Sequence, residues 1–407
     1  MENTFTELGV SEYFIKKLED RNIRQATDIQ CKVIPHLAAG ENVFFTSATG
    51  TGKTFAYLLP LLSRLHEKQD ILLPRILIIA PTLELAAQIS SELDFLLAGT
   101  KFKTFLAIGS VNLDRQIESL RKEKPDIIVG NPGRLLILAK KRLLRLNNLQ
   151  SLVLDEADRL VSDEMIDETD ELCKIIWSCN KKNGSNIVLA ACSATINKKY
   201  KDKLIDICGN REILFADSDD NEILREKIEH WAIFSEKRRK DQTLRSLLAA
   251  LKEKKSRIKA LVFTSRSDEA VIILSRLQFH NVPSAGLFGK VAKKPFSGQE
   301  RKAALDSFRE GKVDVLVSTD LAARGLDIPG ITHVIALDVP SDSEVYIHRC
   351  GRTGRAGKRG TMVTIGDETQ MRLLALMEKK LKIKVIPKEL HYGRIGAPLP
   401  IEDEYED

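Results

Sequence analysis

Short apolar, β-branched runs alternate with longer stretches of helical periodicity along most of the chain. Residues 43–46 and 127–129 have the length and composition of buried strands, whereas residues 84–97 repeat apolar positions at helical spacing. Strands that alternate with helices in this way build a parallel sheet with helices on both faces. The pattern therefore predicts an α/β fold. The other predicted strands are residues 76–80, 105–108, 152–154, 187–190, 228–234, 260–264, 313–318, 334–337 and 361–365, and the other predicted helices are residues 167–178, 240–252 and 268–279.

The alternation pauses once, at the acidic, turn-prone residues 216–221, and then resumes. We therefore predict two α/β domains, residues 1–216 and 226–388, joined by a linker at residues 217–225. Residues 389–407 have little periodicity and end in a strongly acidic sequence, so we predict that this tail is disordered.

Length and composition agree with this division. A chain of 407 residues is long for one core, and its hydrophobic fraction of 43% is that of a globular protein. The net charge of +6 is compatible with a polyanionic partner and equally with ordinary lysine-rich surfaces. The six cysteines contain no C-x-x-C pair, and no apolar run has the length of a signal peptide or a membrane span. We expect a monomer that has no membrane partner. We expect it in the cytoplasm, and a nuclear location is left open.

A glycine-rich sequence follows the strand at residues 43–46 and precedes a helix. It runs Ser47-Ala48-Thr49-Gly50-Thr51-Gly52-Lys53-Thr54, which is the P-loop pattern in its required context, with Ser47 where the general pattern has glycine. The glycines let backbone N–H groups surround phosphate oxygens, and the helix N-terminus adds partial positive charge. Lys53 would reach the β- and γ-phosphates, and the Thr54 hydroxyl would bind Mg²⁺. The Gly-Lys-Thr ending makes a plain strand-to-helix turn the weaker interpretation.

Two adjacent carboxylates, Asp155 and Glu156, follow the predicted buried strand at residues 152–154. Burying them without a nearby cation is costly, and the carboxyl ends of strands are where such sheets bind ligands. We predict that Asp155 holds Mg²⁺ and that Glu156 orients or deprotonates the attacking water. Alone, such a pair is usually a solvated loop, but the upstream P-loop favours the functional interpretation.

A cluster of cations lies near residue 350, in the sequence His348-Arg349-Cys350-Gly351-Arg352-Thr353-Gly354-Arg355. Arginines brought to a transferring phosphoryl group accelerate its transfer by ~10³–10⁵. An isolated arginine cluster is more often a basic surface turn, and a lone histidine such as His348 is more often a packing residue. We give His348 a positioning role only.

These motifs and several others stand in one order along the chain. They include Asp155-Glu156-Ala157-Asp158, Ser193-Ala194-Thr195, Pro81-Thr82-Leu83-Glu84-Leu85-Ala86, Asn131-Pro132-Gly133-Arg134, Val262-Phe263-Thr264-Ser265-Arg266, Ser318-Thr319-Asp320 and Ala323-Arg324-Gly325-Leu326-Asp327. The ordered set resembles the DEAD-box family of RNA helicases, of superfamily 2, over nearly the whole chain. The resemblance implies two RecA-like parallel-sheet domains in tandem that close around one ATP.

The resemblance also implies roles for particular residues. Gln30 would read the adenine, although Thr27-Asp28-Ile29-Gln30 equally fits a helix capping box. Phe5 takes the place of the upstream aromatic, Asp327 would hold the ribose, and Gly325 would also belong to the nucleotide site. The residues implied to bind the phosphates or act in hydrolysis are Thr49, Gly50, Thr51, Gly52, Lys53, Thr54, Asp155, Glu156, Arg352 and Arg355. Those implied to couple hydrolysis to strand separation are Asp158, Ser193, Thr195 and His348, and those implied to bind RNA are Pro81, Thr82, Gly109, Pro132, Gly133, Arg134, Thr264, Arg266, Gly289, Thr319 and Arg324.

Departures from the family pattern concentrate on the adenine-facing and RNA-facing positions. These departures are Ile23, Ala26, Asp28, Leu83, Ser110, Asn131 and Gly298. They put RNA affinity in question more than ATP chemistry. An insertion between Gly289 and Arg301 contains Lys290-Val291-Ala292-Lys293-Lys294, which either contacts RNA phosphate or is a solvated loop.

The sequence thus predicts an ATP-dependent RNA helicase that uses ATP and Mg²⁺ and separates short duplexes, or remodels RNA–protein complexes, without processive movement. An ATP-gated RNA clamp with little unwinding is the alternative, favoured by the lack of an appended RNA-binding domain. A DNA helicase is a further alternative, against which Gln30 and the ordered motifs argue. The sequence does not name the RNA or its pathway.

Overall fold

The computed structural model describes residues 4–47, 51–67, 74–109, 111–181, 187–193, 198–209, 211–217, 226–253, 258–288, 290–291, 294–295, 298–323, 328, 330–354, 358–391 and 393–398. The chain divides into two compact units, Met1–Asp219 and Asp220–Asp407. We describe each unit by itself.

The first unit is built on a parallel sheet of seven strands in the order β3-β4-β2-β5-β6-β1-β7. The strands are β1 Val43–Thr46, β2 Ile76–Ile79, β3 Thr104–Ala107, β4 Ile127–Gly130, β5 Ser151–Asp155, β6 Val188–Ser193 and β7 Leu214–Asp217. The helices are α1 Glu12–Asp20, α2 Asp28–Ala39, α3 Lys53–Glu67, α4 Leu83–Leu97, α5 Leu113–Glu123, α6 Pro132–Lys140, α7 Ala157–Leu160, α8 Ile166–Lys181 and α9 Lys198–Ile207.

The central strands are apolar throughout because both faces of the sheet are covered. In β2, Ile76 and Ile78 belong to one hydrophobic cluster, whereas Leu77 and Ile79 belong to another. Successive side chains of a strand point to opposite faces, so these clusters are the cores on the two sides of the sheet. The predicted parallel sheet with helices on both faces is confirmed.

The second unit contains an eight-stranded sheet in the order β10-β13-β9-β14-β15-β8-β16-β17. All neighbouring strands are parallel except β16 and β17, and β11 pairs with β12 in a separate hairpin. The strands are β8 Ile228–Phe234, β9 Ala260–Thr264, β10 Ser284–Leu287, β11 Lys290–Val291, β12 Lys294–Pro295, β13 Val315–Thr319, β14 His333–Ala336, β15 Gly360–Gly366, β16 Val385–His391 and β17 Arg394–Gly396. The helices are α10 Lys240–Glu253, α11 Ser267–Phe279, α12 Gly298–Arg309, α13 Asp320–Ala323, α14 Ser343–Cys350 and α15 Glu368–Leu381.

Two of the predicted boundaries are wrong. Asp217, the first residue of the predicted linker, pairs with Thr46 of β1 as the last residue of β7. The predicted disordered tail is also wrong at its start, because β16 continues to His391 and forms a hairpin with Arg394–Gly396. Both elements lie at sheet edges and are partly exposed, so they lack the continuous apolar run by which buried strands are recognised. Residues 218–225 and 399–407 lie outside the described residues.

No helix among the described residues combines the length and the apolar composition needed to cross a membrane. All six cysteines are free thiols, and four of them are buried: Cys173, Cys192, Cys208 and Cys350.

Candidate functional site

The P-loop and the Asp-Glu pair lie at one edge of the first sheet, which we call the P-loop edge: the carboxyl ends of β1, β5 and β6. Strand β6 pairs with β1 on one side and with β5 on the other, and its last residues oppose Thr46 and Asp155. The backbone N–H of Ser47 donates to the carbonyl of Ser193 at 3.0 Å. This ladder holds the start of the P-loop against Ser193, which is fully buried.

The described part of the P-loop turns sharply into α3. Gly52 has φ +92°, a conformation that side chains other than glycine rarely adopt. The Lys53 ammonium group donates to the Ser47 carbonyl at 2.6 Å, and the hydroxyls of Ser47 and Thr51 are hydrogen-bonded to each other. Serine in place of the usual glycine therefore adds the hydroxyl contact with Thr51.

Gln30 is nine-tenths or more buried and links α2 to the P-loop. Its side-chain oxygen accepts the Thr27 N–H at 2.9 Å, as in a capping box, and its side-chain nitrogen donates to the Gly52 carbonyl at 3.0 Å. A Cβ at Gly52 would collide with this nitrogen. The capping interpretation of Gln30 therefore accounts for its contact with Thr27 but not for its contact with Gly52, which the sequence does not indicate.

Three donors surround the Asp155 carboxylate, which is 4% exposed. The Tyr57 hydroxyl of α3 donates to Oδ2 at 2.9 Å, and Oδ1 accepts from the Cys192 thiol at 3.0 Å and from the Glu156 N–H at 2.9 Å. Burial, and then the charge of Asp155, raises the pKa of Tyr57 and the pKa of Cys192 well above their ordinary values. Both groups therefore remain protonated donors at neutral pH, and both were missed by the sequence analysis.

We expect Tyr57→Phe to lower the free energy of unfolding by about 2 kcal/mol, since a hydrogen bond to a buried carboxylate is removed. Chemical denaturation would measure the loss. The matched control is Tyr13→Phe, whose exposed hydroxyl donates to the neutral Ala98 carbonyl at 2.7 Å. A loss at Tyr57 no larger than the loss at Tyr13 would show that the Asp155 contact is not stabilising.

Glu156 and Asp158 lie directly after Asp155 and are both at least nine-tenths buried. Glu156 has φ +49° and forms the N-cap position of α7. This left-handed backbone turns the chain between β5 and α7.

Another group of predicted residues lies at the carboxyl ends of β2, β3 and β4, which we call the distal edge. The Arg134 guanidinium donates to the carbonyls of Gly109 and Val111 at 3.1 and 3.0 Å and to the Gln116 side chain at 3.1 Å. These bonds tie α6 to the loop after β3. The structure thus brings together Gly109, Pro132, Gly133 and Arg134, in part through Gln116, which the sequence analysis missed.

Two of the departures from the family pattern, Leu83 and Asn131, lie at the distal edge. Thr82 caps α4 by accepting the Leu85 N–H at 3.2 Å, and the next residue, Leu83, is 41% exposed. Asn131 precedes α6, and its buried side-chain oxygen has no hydrogen-bond partner within the described part of the chain. Phe5, which takes the place of the family's upstream aromatic, is 2% exposed and packs in the hydrophobic core of the first unit.

In the second unit, Arg349 and Arg352 of the arginine cluster are both buried. Arg349 is 1% exposed, and its guanidinium donates to both Asp320 carboxylate oxygens at 2.7 Å and to the Asp338 carbonyl at 2.9 Å. A further ion pair joins it to the Asp338 carboxylate at 2.8 Å. Arg352 and His348 line one small pocket beside it. Arg349 is therefore an internal cation that connects α14 to the start of α13 and to the loop after β14.

We expect Arg349→Met to destabilise the second unit by about 3 kcal/mol, because two partly buried carboxylates would lose their buried cation. Thermal or chemical denaturation would measure this loss. Arg266→Met is the matched control, since Arg266 pairs with Asp268 at the exposed surface and such pairs contribute little. Equal stability of the two variants would contradict a structural role for Arg349.

The remaining predicted residues of the second unit are distributed along the carboxyl edge of its sheet. Thr264 is fully buried and its hydroxyl donates to the Arg266 carbonyl at 3.0 Å, while the Arg266 side chain is exposed. Thr319 is also buried. The predicted site residues that lie outside the described residues are Thr49, Gly50, Thr195, Gly289, Arg324, Gly325, Asp327 and Arg355.

Two family models match the chain in the order that the motifs predict. Residues 27–203 match the DEAD/DEAH box helicase model, and residues 239–357 match the helicase conserved C-terminal domain. A curated relative from Bacillus cereus, named DEAD-box ATP-dependent RNA helicase CshC, is 34% identical, and the match covers 94% of this chain and 92% of the relative. This chain belongs to the DEAD-box RNA helicase family.

Solved structures of DEAD-box helicases share the fold of the chain. A structure of Mss116p bound to ssRNA and AMP-PNP has a TM-score of 0.84 at 28% identity, over 96% of this chain and 80% of that one. A structure of S. cerevisiae Dbp5 bound to RNA and ADP BeF3 has a TM-score of 0.80 at 25% identity, over 95% of this chain and 96% of that one. The predicted tandem of RecA-like domains is confirmed.

The residues at the P-loop edge of this DEAD-box chain suit a Mg²⁺-nucleotide. The turn at Gly52 and the N-terminus of α3 offer N–H groups and positive charge to phosphate oxygens. The Thr54 hydroxyl and the Asp155 carboxylate are the hard oxygen ligands that Mg²⁺ prefers. The described residues hold no cluster of three or more His, Cys, Asp or Glu side chains suited to a metal. One protein carboxylate completed by phosphate and water is a usual way of binding Mg²⁺.

Proposed function

We propose that this chain is an ATP-dependent RNA helicase in which RNA-stimulated ATP hydrolysis separates short duplexes locally or remodels RNA–protein complexes. The observation that carries the proposal is the Tyr57–Asp155 hydrogen bond, because it joins the P-loop helix to the strand that bears Asp155 and Glu156. The name of the B. cereus relative, and the RNA and AMP-PNP in the Mss116p structure, support RNA and ATP as ligands.

In this proposal, ATP phosphates bind between the P-loop backbone and the Lys53 ammonium group. Lys53 would exchange its present acceptor, the Ser47 carbonyl, for phosphate oxygens. Thr54 and Asp155 would hold Mg²⁺, which supplies positive charge to the phosphate oxygens. Glu156 would orient the attacking water and accept its proton, and the buried turn after β5 fixes where its carboxylate can reach.

The second unit contributes positive charge to the same reaction in this proposal. Arg352 and Arg355 would contact the terminal phosphate, and His348, which lines a pocket with Arg352, would position that segment. Asp158, Ser193 and Thr195 would couple hydrolysis to strand separation. For the nucleoside, Gln30 would read the adenine, Asp327 would hold the ribose, and Gly325 would also belong to the nucleotide site. Phe5 would support that site from the core, since it is almost wholly buried.

RNA would bind through its backbone at the distal edge and at the carboxyl edge of the second sheet. Reading phosphates and 2′-hydroxyls gives a preference for RNA without a preference for sequence. The residues proposed to contact RNA are Pro81, Thr82, Gly109, Pro132, Gly133, Arg134, Thr264, Arg266, Gly289, Thr319 and Arg324. The side chain of Thr264 is fully buried, so its part in this proposal is to shape the turn that presents Arg266.

We also propose that the protein acts as a monomer in the cytoplasm. The support is its set of free cysteines, four of them buried, which is usual for a reducing compartment.

The test is ATP turnover with RNA and with DNA of equal length and sequence, together with displacement of one strand from a short RNA duplex. Stimulation by RNA above DNA, and ATP-dependent displacement, are the expected results. Equal stimulation would contradict RNA preference. ATP-dependent RNA retention without displacement would instead identify an RNA clamp.

A further inference from the structure

An exposed basic segment lies at the carboxyl edge of the second sheet, outside the motifs discussed so far. We call it the basic turn and define it as Phe234, Lys237, Arg238 and Arg239. Phe234 ends β8 and is 63% exposed, and the three cations form an exposed 3₁₀ turn directly before α10. Glu236 lies near Arg239 at 3.5 Å, and both side chains are exposed, so the segment keeps an excess of positive charge.

The backbone of the basic turn is held in place from several sides. The Ser235 N–H donates to the Gly366 carbonyl at 2.9 Å, and the Ser235 hydroxyl is 2.8 Å from the Thr243 hydroxyl. The buried ammonium group of Lys240 donates to the Leu337 carbonyl at 2.6 Å and also to the side chain of Gln370. An anchored turn loses little backbone entropy when it binds a ligand, and this distinguishes it from a freely solvated lysine-rich loop.

The position of the basic turn continues the proposed RNA surface. Strand β9 ends at Thr264, and β14 and β15 separate it from β8, which ends at Phe234. Three strand spacings of about 4.8 Å place these two ends ~14 Å apart. At the rise of ~3.4 Å per nucleotide of a stacked strand, that distance corresponds to about four nucleotides, and to fewer where the strand is extended. A strand that passes Arg266 can therefore reach the basic turn within a few nucleotides.

Two acidic residues at this edge, Asp338 and Asp367, are engaged with protein groups. Asp338 pairs with Arg349 at 2.8 Å and accepts the Ser265 N–H at 2.6 Å. Asp367 caps α15 by accepting the Gln370 N–H at 3.1 Å. The cations of the basic turn face solvent, so they supply the charge that an approaching polyanion meets.

We propose that the basic turn binds the phosphates of a flanking single-stranded segment of the RNA, with Phe234 stacking on one base. The proposal rests on the proposed function, because it extends the same RNA surface. Cations that follow a backbone together with an exposed aromatic ring are the usual elements of single-strand binding without sequence preference.

The test measures binding of fluorescent oligouridine by anisotropy in the presence of AMP-PNP, with lengths of about 6 and about 14 nucleotides. The variant replaces Lys237, Arg238 and Arg239 by alanine in the full chain. We expect it to bind the short RNA like the parent and the long RNA about tenfold more weakly at ~0.1 M salt. The log–log salt slope for the long RNA should flatten by about 2, since each lost contact with a single strand contributes ~0.7.

The chain offers matched controls at the opposite edge of the same sheet. Lys379, Lys380 and Lys384 are exposed where α15 ends and β16 is about to begin, so their triple alanine variant removes the same charge at the amino edge. Phe279 is 82% exposed at the end of α11 and is the control for Phe234. Phe234→Ala should weaken binding of the long RNA about fivefold and leave the salt slope unchanged. Phe279→Ala should leave both the affinity and the salt slope unchanged.

The outcomes separate this proposal from the proposed function. No binding of the short RNA by the parent protein contradicts the proposed function itself. Equal affinity and equal salt slope of the basic-turn variant and the parent on the long RNA overturn the present proposal and favour an acidic protein as the partner. The proposal is also overturned if the variant at the amino edge loses as much affinity for the long RNA as the basic-turn variant, because the effect would then come from net charge alone.

Discussion

Replacing Glu156 by glutamine is expected to lower ATP turnover by about 10³ while ATP affinity changes by less than about twofold. A positioned general base contributes roughly 10²–10⁴ in rate, and glutamine has the shape of glutamate but cannot accept the proton. Glu156 is 8% exposed and has φ +49°, so its position is fixed by the turn between β5 and α7 rather than by solvent. The substitution should therefore preserve the fold and the phosphate site.

Two measurements on the same preparation test this expectation. Phosphate release with saturating RNA gives turnover, and titration with a fluorescent ATP analogue gives affinity. Glu164→Gln is the matched control, because Glu164 is an exposed carboxylate a few residues further along the chain. Near-normal turnover in the Glu156 variant would remove Glu156 from the proposed mechanism, and lost ATP binding would give it a structural role instead.

Much of the fold follows from the sequence because the sheets are parallel and buried. A buried parallel strand must be apolar on both faces, so β2 and β9 are continuous apolar runs and are readily predicted. Edge strands have no such requirement. The edge strand β7 has one buried residue, Ala216, and β16, which pairs with the edge strand β17, has none. This is why Asp217 falls within the predicted linker and residues 389–391 fall within the predicted tail.

The candidate site was predicted as separate motifs, but the contacts that join them were not. The Tyr57–Asp155 bond spans 98 positions and the Gln30–Gly52 bond spans 22, and neither partner signals the other in the sequence. Tyr57 also occupies an apolar position of α3, where an aromatic residue is expected for packing alone. Its polar end becomes informative only when the fold places Asp155 beside it.

The arginine cluster shows most clearly that amino-acid composition alone does not predict the role of each residue. Residues Arg349, Arg352 and Arg355 look alike in the sequence, within one short basic segment. In the structure Arg349 is an internal cation shared by Asp320 and Asp338, which are distant in sequence. Arg349 lies on the buried side of α14 with Tyr346 and Cys350, a position that the basic composition of the segment does not indicate.

Arg355→Ala is expected to lower ATP turnover by at least ~10³, which corresponds to roughly 4 kcal/mol of activation free energy. An arginine that meets the transferring phosphoryl group stabilises charge that is present mainly in the transition state. Turnover should therefore fall much more than ATP affinity. Because Arg349 carries the structural role in this cluster, we expect the Arg355→Ala substitution to leave the free energy of unfolding unchanged.

Arg359→Ala is the control for this prediction, since Arg359 is an exposed cation four residues beyond Arg355. Single-turnover hydrolysis, ATP affinity and the denaturation midpoint should be measured for both variants. If Arg355→Ala hydrolyses ATP nearly as fast as Arg359→Ala, charge from the second unit does not take part in hydrolysis. If both variants are equally slow with equal ATP affinity, the segment acts through its net charge rather than through a directed guanidinium group. If Arg355 acts on the terminal phosphate, Arg355→Ala must hydrolyse ATP much more slowly than Arg359→Ala while its denaturation midpoint stays unchanged.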